Sequence, residues 1–355
     1  MIDKLVNKHL LDFKNYTVPD NNYKYVLNAN ESPYNIFNYI NDSILEGIKS
    51  FKPNLYPDPM SKGLRERLAK YNEVSKENII CGNGSDELIS MIFTTFVQSN
   101  DVVVSHVPTF DMYSIGTKIA KGNFISVKPG DDFKVDTQEI IKTTNDNNAK
   151  LLFLCVPNNP TGYAIPKDEI LSILNNTSCI VVIDEAYMDF YGKSCLDLID
   201  KYENIIILKT LSKALGMAGL RVGYAIGNEN IINWLYKIKQ PYNLNSMSQL
   251  LGEILLDNID LVKEFTIKII DERIRLYNKL LSFKNIKVYE SSANFILIKY
   301  ENGSKELFDY LLSKDILVKY YNKHAYLSDC FRITVGDIQT NDYLVKIIGG
   351  YLNEN

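Results

Sequence analysis

The sequence sets a lysine, Lys213, just beyond an apolar run, Ile205-Ile-Ile-Leu208, with the hydroxyls of Thr210 and Ser212 before it and Arg221 eight residues after it. The run reads as a fully buried strand. Burial and a neighbouring cation both disfavour an ammonium ion, so a lysine at such a strand end lies near its unprotonated, nucleophilic form. The hydroxyls and Arg221 suit an anion, because a guanidinium can grip a phosphate with two parallel hydrogen bonds. Alone, Lys213 would read as a solvated loop residue. Its neighbours change that reading. Ile180-Val-Val-Ile183 delivers Asp184 and then Glu185-Ala-Tyr187, while Leu151-Leu-Phe-Leu-Cys-Val156 delivers Pro157-Asn-Asn-Pro-Thr-Gly162. Three buried strands thus present polar groups at their carboxyl ends, where open α/β sheets bind ligands.

A lysine at one strand tip and an aspartate at another match the needs of pyridoxal phosphate, which takes a Schiff-base lysine and an acidic partner for its pyridinium nitrogen. A phosphate site is also in view. Gly82-Asn-Gly-Ser-Asp86 precedes an apolar helical stretch, Leu88 to Val97. Ser85 or Asp86 could cap that helix, and the free amides at its start, with Gly84 allowing close approach, could hold a phosphate. The spacing completes neither a dinucleotide fingerprint nor a Walker loop.

The elements that must position these groups alternate. Helical patterns begin near Ser43 and run over Leu64 to Tyr71, the latter with its basic residues outward. Strands at Val102–Val104, Phe124–Val127, the three apolar runs and Val222–Ile226 are interleaved with helices from Asp111 and near Thr137 to Ile141. That alternation predicts an α/β fold, with a mostly parallel sheet sandwiched by helices. One long helical pattern from about Ser246 to Ser282 leads into short strands and helices that form a smaller α+β domain. The expected division is an amino-terminal arm at 1–42 belonging to the small domain, a large ligand-binding domain at 43–245 and a small domain at 246–355. Residues 1 to about 35, polar and rich in Asn and Tyr, read as an extended arm.

Asn159-Pro-Thr-Gly162, Asp184-Glu-Ala-Tyr187, Thr210-Leu-Ser-Lys-Ala214 and Gly219-Leu-Arg-Val-Gly223 resemble the signature of fold-type I, class I/II aminotransferases. Within that group the chain most resembles the histidinol-phosphate aminotransferase family. Leu27-Asn-Ala-Asn-Glu-Ser-Pro33, Leu55-Tyr-Pro-Asp58, Cys81-Gly-Asn-Gly-Ser-Asp-Glu87, Pro108-Thr-Phe110 and Phe331-Arg-Ile-Thr-Val-Gly336 extend the likeness over nearly the whole chain. The resemblance implies that Lys213 forms the Schiff base with pyridoxal 5'-phosphate and carries the Cα proton. Asp184 would meet the pyridine nitrogen, and Tyr187 and Asn159 the ring's phenolic oxygen. Gly84, Ser85, Asp86, Thr210, Ser212 and Arg221 would hold the phosphate. Phe110 stands where the family stacks an aromatic ring on the cofactor, often a tyrosine; ordinary core packing is its other reading. Tyr56 matches a tyrosine that reaches the neighbouring subunit's cofactor phosphate, which implies a homodimer. Arg332 would hold a substrate carboxylate or phosphate, Asn30, within the Leu27–Pro33 match, would also bind substrate, and Tyr16 is the arm's candidate for a substrate phosphate. Lys319 stands near a position where the family usually has a second arginine.

The implied reaction is transamination between histidinol phosphate and 2-oxoglutarate, in histidine biosynthesis. The alternatives are an aminotransferase for aromatic or other amino acids, and a threonine-phosphate decarboxylase. A nicotinamide oxidoreductase lacks its fingerprint here, and a non-catalytic binding protein has no need of the Asp184, Lys213 and Arg221 set. The 355 residues allow two or three domains, and 46% hydrophobic with 23% charged residues describes an ordinary globular protein. A formal charge of −4 gives no reason to expect nucleic acid or an anionic membrane. The five cysteines include no CxxC pair and read as free thiols, and no metal is expected. Without a signal peptide or a membrane-length apolar run, a cytoplasmic protein is expected.

Overall fold

The computed structural model describes residues 2–11, 13 and 22–354. In chain order its elements begin with β1 (Tyr25–Leu27), α1 (Asn41–Ser50), α2 (Lys62–Asn72), β2 (Ile79–Asn83) and α3 (Gly84–Phe96). Next come β3 (Val102–His106), α4 (Met112–Ile119), β4 (Asn123–Val127), α5 (Thr137–Asp146), β5 (Leu151–Cys155) and α6 (Lys167–Asn176). These lead to β6 (Ile180–Asp184), β7 (Ile205–Thr210), β8 (Val222–Gly227), α7 (Glu229–Tyr236), α8 (Ser246–Asp257) and α9 (Ile259–Leu281). The chain closes with β9 (Lys287–Val288), β10 (Phe295–Lys299), α10 (Ser304–Ser313), β11 (Ile316–Tyr321), β12 (Cys330–Thr334) and α11 (Ile338–Glu354).

The larger sheet has seven strands in the order β2-β8-β7-β6-β5-β3-β4. Pairing is parallel from β7 to β4, while β8 runs antiparallel to both its neighbours. Strands β5, β6 and β7 are buried almost throughout, which explains why they read as continuous apolar runs: helices cover both faces. Each fully buried Ile or Leu contributes about 1.5–3 kcal/mol. This topology brings distant segments to one edge. Carboxyl ends of β2 and β7 flank the amino end of β8, with Asn83 opposite Val222 and Thr210 opposite Gly223.

The smaller sheet runs β1-β11-β12-β10-β9, with β1 parallel to β11 and the other pairs antiparallel. One of its edge strands, β1, comes from the amino-terminal stretch read above as an extended arm. Val26 and Leu27 supply the apolar pairing surface against Leu317 and Val318. The long helical pattern after Ser246 is two helices. Asn258 leaves helical geometry (φ −113°, ψ 32°) and donates its side-chain amide to Ile254 O at 2.8 Å, closing α8 before α9 starts. Helix α2 also departs from expectation: Arg65 is 8% exposed and donates to Lys76 O, so one of its basic residues faces inward. All five cysteines are buried and unpaired. No helix among the described residues is long and apolar enough to cross a membrane.

Candidate active site

Helix α3 starts at Gly84, and its N-cap residue Asn83 makes no side-chain cap hydrogen bond. Ser85 and Asp86 therefore lie inside the first turn rather than capping it. The opening amides of a helix have no partner within it, so this end keeps donors free for an anion. Two glycines let the turn sit against β8. A Cβ on Gly223 would fall 2.4 Å from the Ser85 amide nitrogen, and one on Gly84, at φ +79°, would fall 2.6 Å from Arg221 Nη2. Thr210 Oγ1 donates to Ser212 Oγ at 2.9 Å, and Arg221 reaches Ser212 Oγ at 3.4 Å, Ala218 O at 3.3 Å and Asp86 Oδ2 at 3.3 Å. All three contacts are long, so the guanidinium could turn its donors to an anion. Its donors, two hydroxyls and the α3 amides converge from β2, β7 and β8, a set that fits a phosphate monoester.

Lys213 is half-buried and donates from Nζ to the carbonyl of Ala29 at 2.9 Å, 5.8 Å from the centre of the Tyr187 ring. Burial and the Arg332 guanidinium, with Arg221 adding to them and Glu31 opposing, pull its amine down to about 8. That supplies the near-neutral amine that condensation with an aldehyde needs.

Asp184, at the tip of β6, is buried. Its Oδ2 accepts the Tyr113 phenol at 2.8 Å and its Oδ1 the Ala186 amide at 3.1 Å. Burial pushes its carboxyl up to about 6, against the pull of those two donors. A buried carboxylate in this state gains from a cationic N–H beside it, as a pyridinium nitrogen would supply. Nothing in the motif spacing singles out Tyr113. Phe110, three residues earlier, lies before α4 begins, so helical spacing does not link the two in the sequence either.

Tyr187 is buried, with its ring edge-on to Phe295 at 5.2 Å and its hydroxyl accepting from Asn30 Nδ2 at 2.9 Å. Burial holds that phenol above its ordinary range, while Arg332 and Asn30 pull it back. Asn30, at φ +55°, also donates its backbone N–H to Thr334 Oγ1 at 2.9 Å, so the amino-terminal stretch is held to segments of both sheets. Asn159 Oδ1 accepts from Arg332 Nη1 at 2.5 Å, which leaves its Nδ2 to donate elsewhere. Arg332 Nη2 holds Asn28 O at 2.5 Å, and its Nε is buried with no hydrogen-bond partner among the described residues. The carbonyls of Asn28 and Ala29 thus hold the two key cations, a role that backbone atoms play without any side-chain signature.

Lys319 on β11 lies directly opposite Arg332 on β12. Opposed residues of an antiparallel pair project from the same face, so these two cations share a side of the small sheet. Phe110 is partly buried against the core of the large sheet and meets Tyr113 edge-on at 5.8 Å. Tyr56 stands apart from this cluster: it is 80% exposed and stacks on Tyr242 at 4.5 Å. Tyr16 lies outside the described residues.

The family model for aminotransferase class I and II matches residues 24–348. A histidinol-phosphate aminotransferase of Thermoanaerobacter sp. (strain X514) is 43% identical over 346 residues, covering 98% of each chain. That of Pyrococcus furiosus is 38% identical over 350 residues, covering 99% of each. Among solved structures, the histidinol-phosphate aminotransferase from Clostridium acetobutylicum superposes with a TM-score of 0.86 at 26% identity, covering 93% of this chain and 100% of that one. One from Sinorhizobium meliloti, in complex with pyridoxal-5'-phosphate, shares the fold with a TM-score of 0.86 at 23% identity, covering 94% and 91%. Given a family match over nearly its whole length and a lysine, an aspartate and an anion cradle gathered at the strand ends, the chain belongs to the class I and II aminotransferases.

Proposed function

We propose that this aminotransferase uses pyridoxal phosphate to exchange amino groups between histidinol phosphate and 2-oxoglutarate, working in the cytoplasm as a homodimer. The observation that carries the substrate is the Lys319–Arg332 pair, two cations on one face of the small sheet, of which Arg332 lies near Lys213. A substrate bearing a phosphate, and a glutamate bearing a second carboxylate, both need such a pair.

When bound, the cofactor supplies an electron sink for the carbon that loses its proton. The chain's own residues do the rest. Lys213 would hold the aldehyde carbon and then carry the proton from the substrate's Cα to the carbon beyond it. Asp184 would keep the ring nitrogen protonated. Thr210, Ser212, Arg221 and the amides of Ser85 and Asp86, with Gly84 making room, would grip the phosphate. Asn159 Nδ2 and the Tyr187 hydroxyl would donate to the ring oxygen, and Phe110 would cover a ring face. Arg332 and Lys319 would orient the substrate's anionic end, with Asn30 lining the site and Tyr16 contributing from the arm. Tyr56, exposed beside Tyr242, would reach a second copy's phosphate site. We place the arm at 1–42, the large domain at 43–245 and the small domain at 246–355.

The test is the absorbance of the cofactor-loaded protein after adding histidinol phosphate with no keto acid present. Loss of the visible band establishes the half-reaction. An unchanged band, with conversion by glutamate or phenylalanine instead, rejects this substrate and keeps the family chemistry. A second expectation concerns Lys319. An ammonium offers a point charge where a guanidinium offers a fork. Lys319→Arg should therefore lower KM for histidinol phosphate by roughly 2- to 10-fold with little change in kcat. An unchanged KM would place the side chain away from the phosphate.

A further inference from the structure

We propose that Tyr113 is a positioning residue for the reaction: its phenol O–H holds the Asp184 carboxylate, as an anion and in one orientation, for the ring nitrogen of the cofactor. This rests on the assignment of Asp184 to that nitrogen. Tyr113 is fully buried on the first turn of α4 and donates to Asp184 Oδ2 at 2.8 Å. Its ring stacks on Phe153 at 4.6 Å with an interplanar angle of 13°, so the phenol has a fixed platform. The same ring meets Phe110 edge-on at 5.8 Å, an orientation that pairs a ring edge with a ring face. One side chain therefore supports two groups that would touch the cofactor, its nitrogen partner and its stacking ring.

The direction of the hydrogen bond follows from the surroundings. Burial and the adjacent carboxylate hold the Tyr113 phenol well above its ordinary range, so it stays a donor throughout the working pH range. Cys155 lies beside it, and burial keeps that thiol neutral, pushed up to about 12. With Oδ1 on the Ala186 amide and Oδ2 on Tyr113, each carboxylate oxygen carries one protein donor. Each also keeps a second lone pair, which is the acceptor a pyridinium N–H requires. Phenylalanine at 113 would preserve ring, stack and edge contact, and would remove only the donor.

The decisive measurement compares the affinity of the apoprotein for pyridoxal phosphate with that for the carbocyclic analogue whose ring nitrogen is replaced by C–H. Wild type should prefer the nitrogen-bearing ring. Tyr113→Phe should lose about tenfold in affinity for pyridoxal phosphate, as expected for a hydrogen bond to a charged group, and little for the analogue, so the preference shrinks. Phe153→Leu, which loosens the platform without touching the O–H, should lower the thermal midpoint and leave the preference intact. A preference unchanged in Tyr113→Phe overturns the proposal while the assignment of Asp184 stands. A wild type that ignores the ring nitrogen overturns both.

Discussion

Replacing Lys213 with alanine should yield a folded protein that releases pyridoxal phosphate on gel filtration and transaminates at least about 10⁴-fold more slowly than wild type. Two functions disappear with one side chain. The amine that would fix the aldehyde is gone, and so is the group that would carry the proton between carbons. No neighbour can substitute, because a guanidinium such as that of Arg332 or Arg221 has donors and no acceptor for a proton, Asp184 is engaged by Tyr113 and Ala186, and Tyr187 holds its proton. The fold should not suffer. Lys213 makes one hydrogen bond, to Ala29 O, and its amine sits near 8, below the ordinary lysine value of 10.5. Below pH 8 the folded state carries an ammonium it disfavours, and between 8 and 10.5 only the unfolded chain binds that proton. Wild-type stability should therefore rise over that window relative to the variant. Thermal midpoints of both apoproteins at pH 7 and pH 10, read beside turnover and retained colour, check all of this. A variant that keeps its colour and a tenth of its rate would remove Lys213 from the chemistry.

How far the site was legible in the sequence follows from where its information is local. Asp184 ends a buried apolar strand and Lys213 and Asn159 follow one within four residues, and a strand tip in an open sheet has one exit, so spacing along the chain brings their polar groups to one edge. Arg221 was harder. It lies at the start of the one reversed strand of the large sheet, and its nearness to Gly84 depends on β8 running back between β2 and β7. The cation pair at Lys319 and Arg332 depends on an antiparallel register that no local pattern encodes. Asn28 and Ala29 act through carbonyls, so their side chains carry no message. The break at Asn258 went unread because the apolar spacing of α8 continues into α9, and a single asparagine within a long pattern is a weak stop. Arg65 misled for a related reason. A charged residue on a helix is ordinarily solvated, yet here the neighbouring turn at Lys76 supplies a carbonyl partner.

Asp184→Asn should show catalysis and stability moving in opposite directions. Asparagine keeps the shape and can still accept the Ala186 amide, but it cannot hold a positive charge on the ring nitrogen. Turnover should fall by roughly 10²–10³-fold or more, the scale set by removing one preorganised electrostatic contact. The apoprotein should nevertheless gain stability at neutral pH. Burial raises the Asp184 carboxyl from its ordinary 3.8 to about 6 in the folded state. Between those values the folded protein binds a proton that the unfolded chain has released, so wild-type stability falls as pH rises through the window. Above it the folded state carries the full cost of a buried anion, about 3 kcal/mol for a shift of this size. Asparagine bears no such charge, so the variant's advantage should be present at pH 7 and vanish near pH 4. Adding pyridoxal phosphate should reverse the order at pH 7, because a cationic N–H beside the wild-type carboxylate recovers what burial cost it. Midpoints of apo and loaded forms at both pH values decide the matter. A variant less stable than wild type at pH 7 without cofactor would mean that Asp184 serves the fold. The arrangement seen here, a buried carboxylate with each oxygen given one donor and one lone pair left open, points instead to a residue kept at a cost to the apoprotein for a charge it would meet on binding.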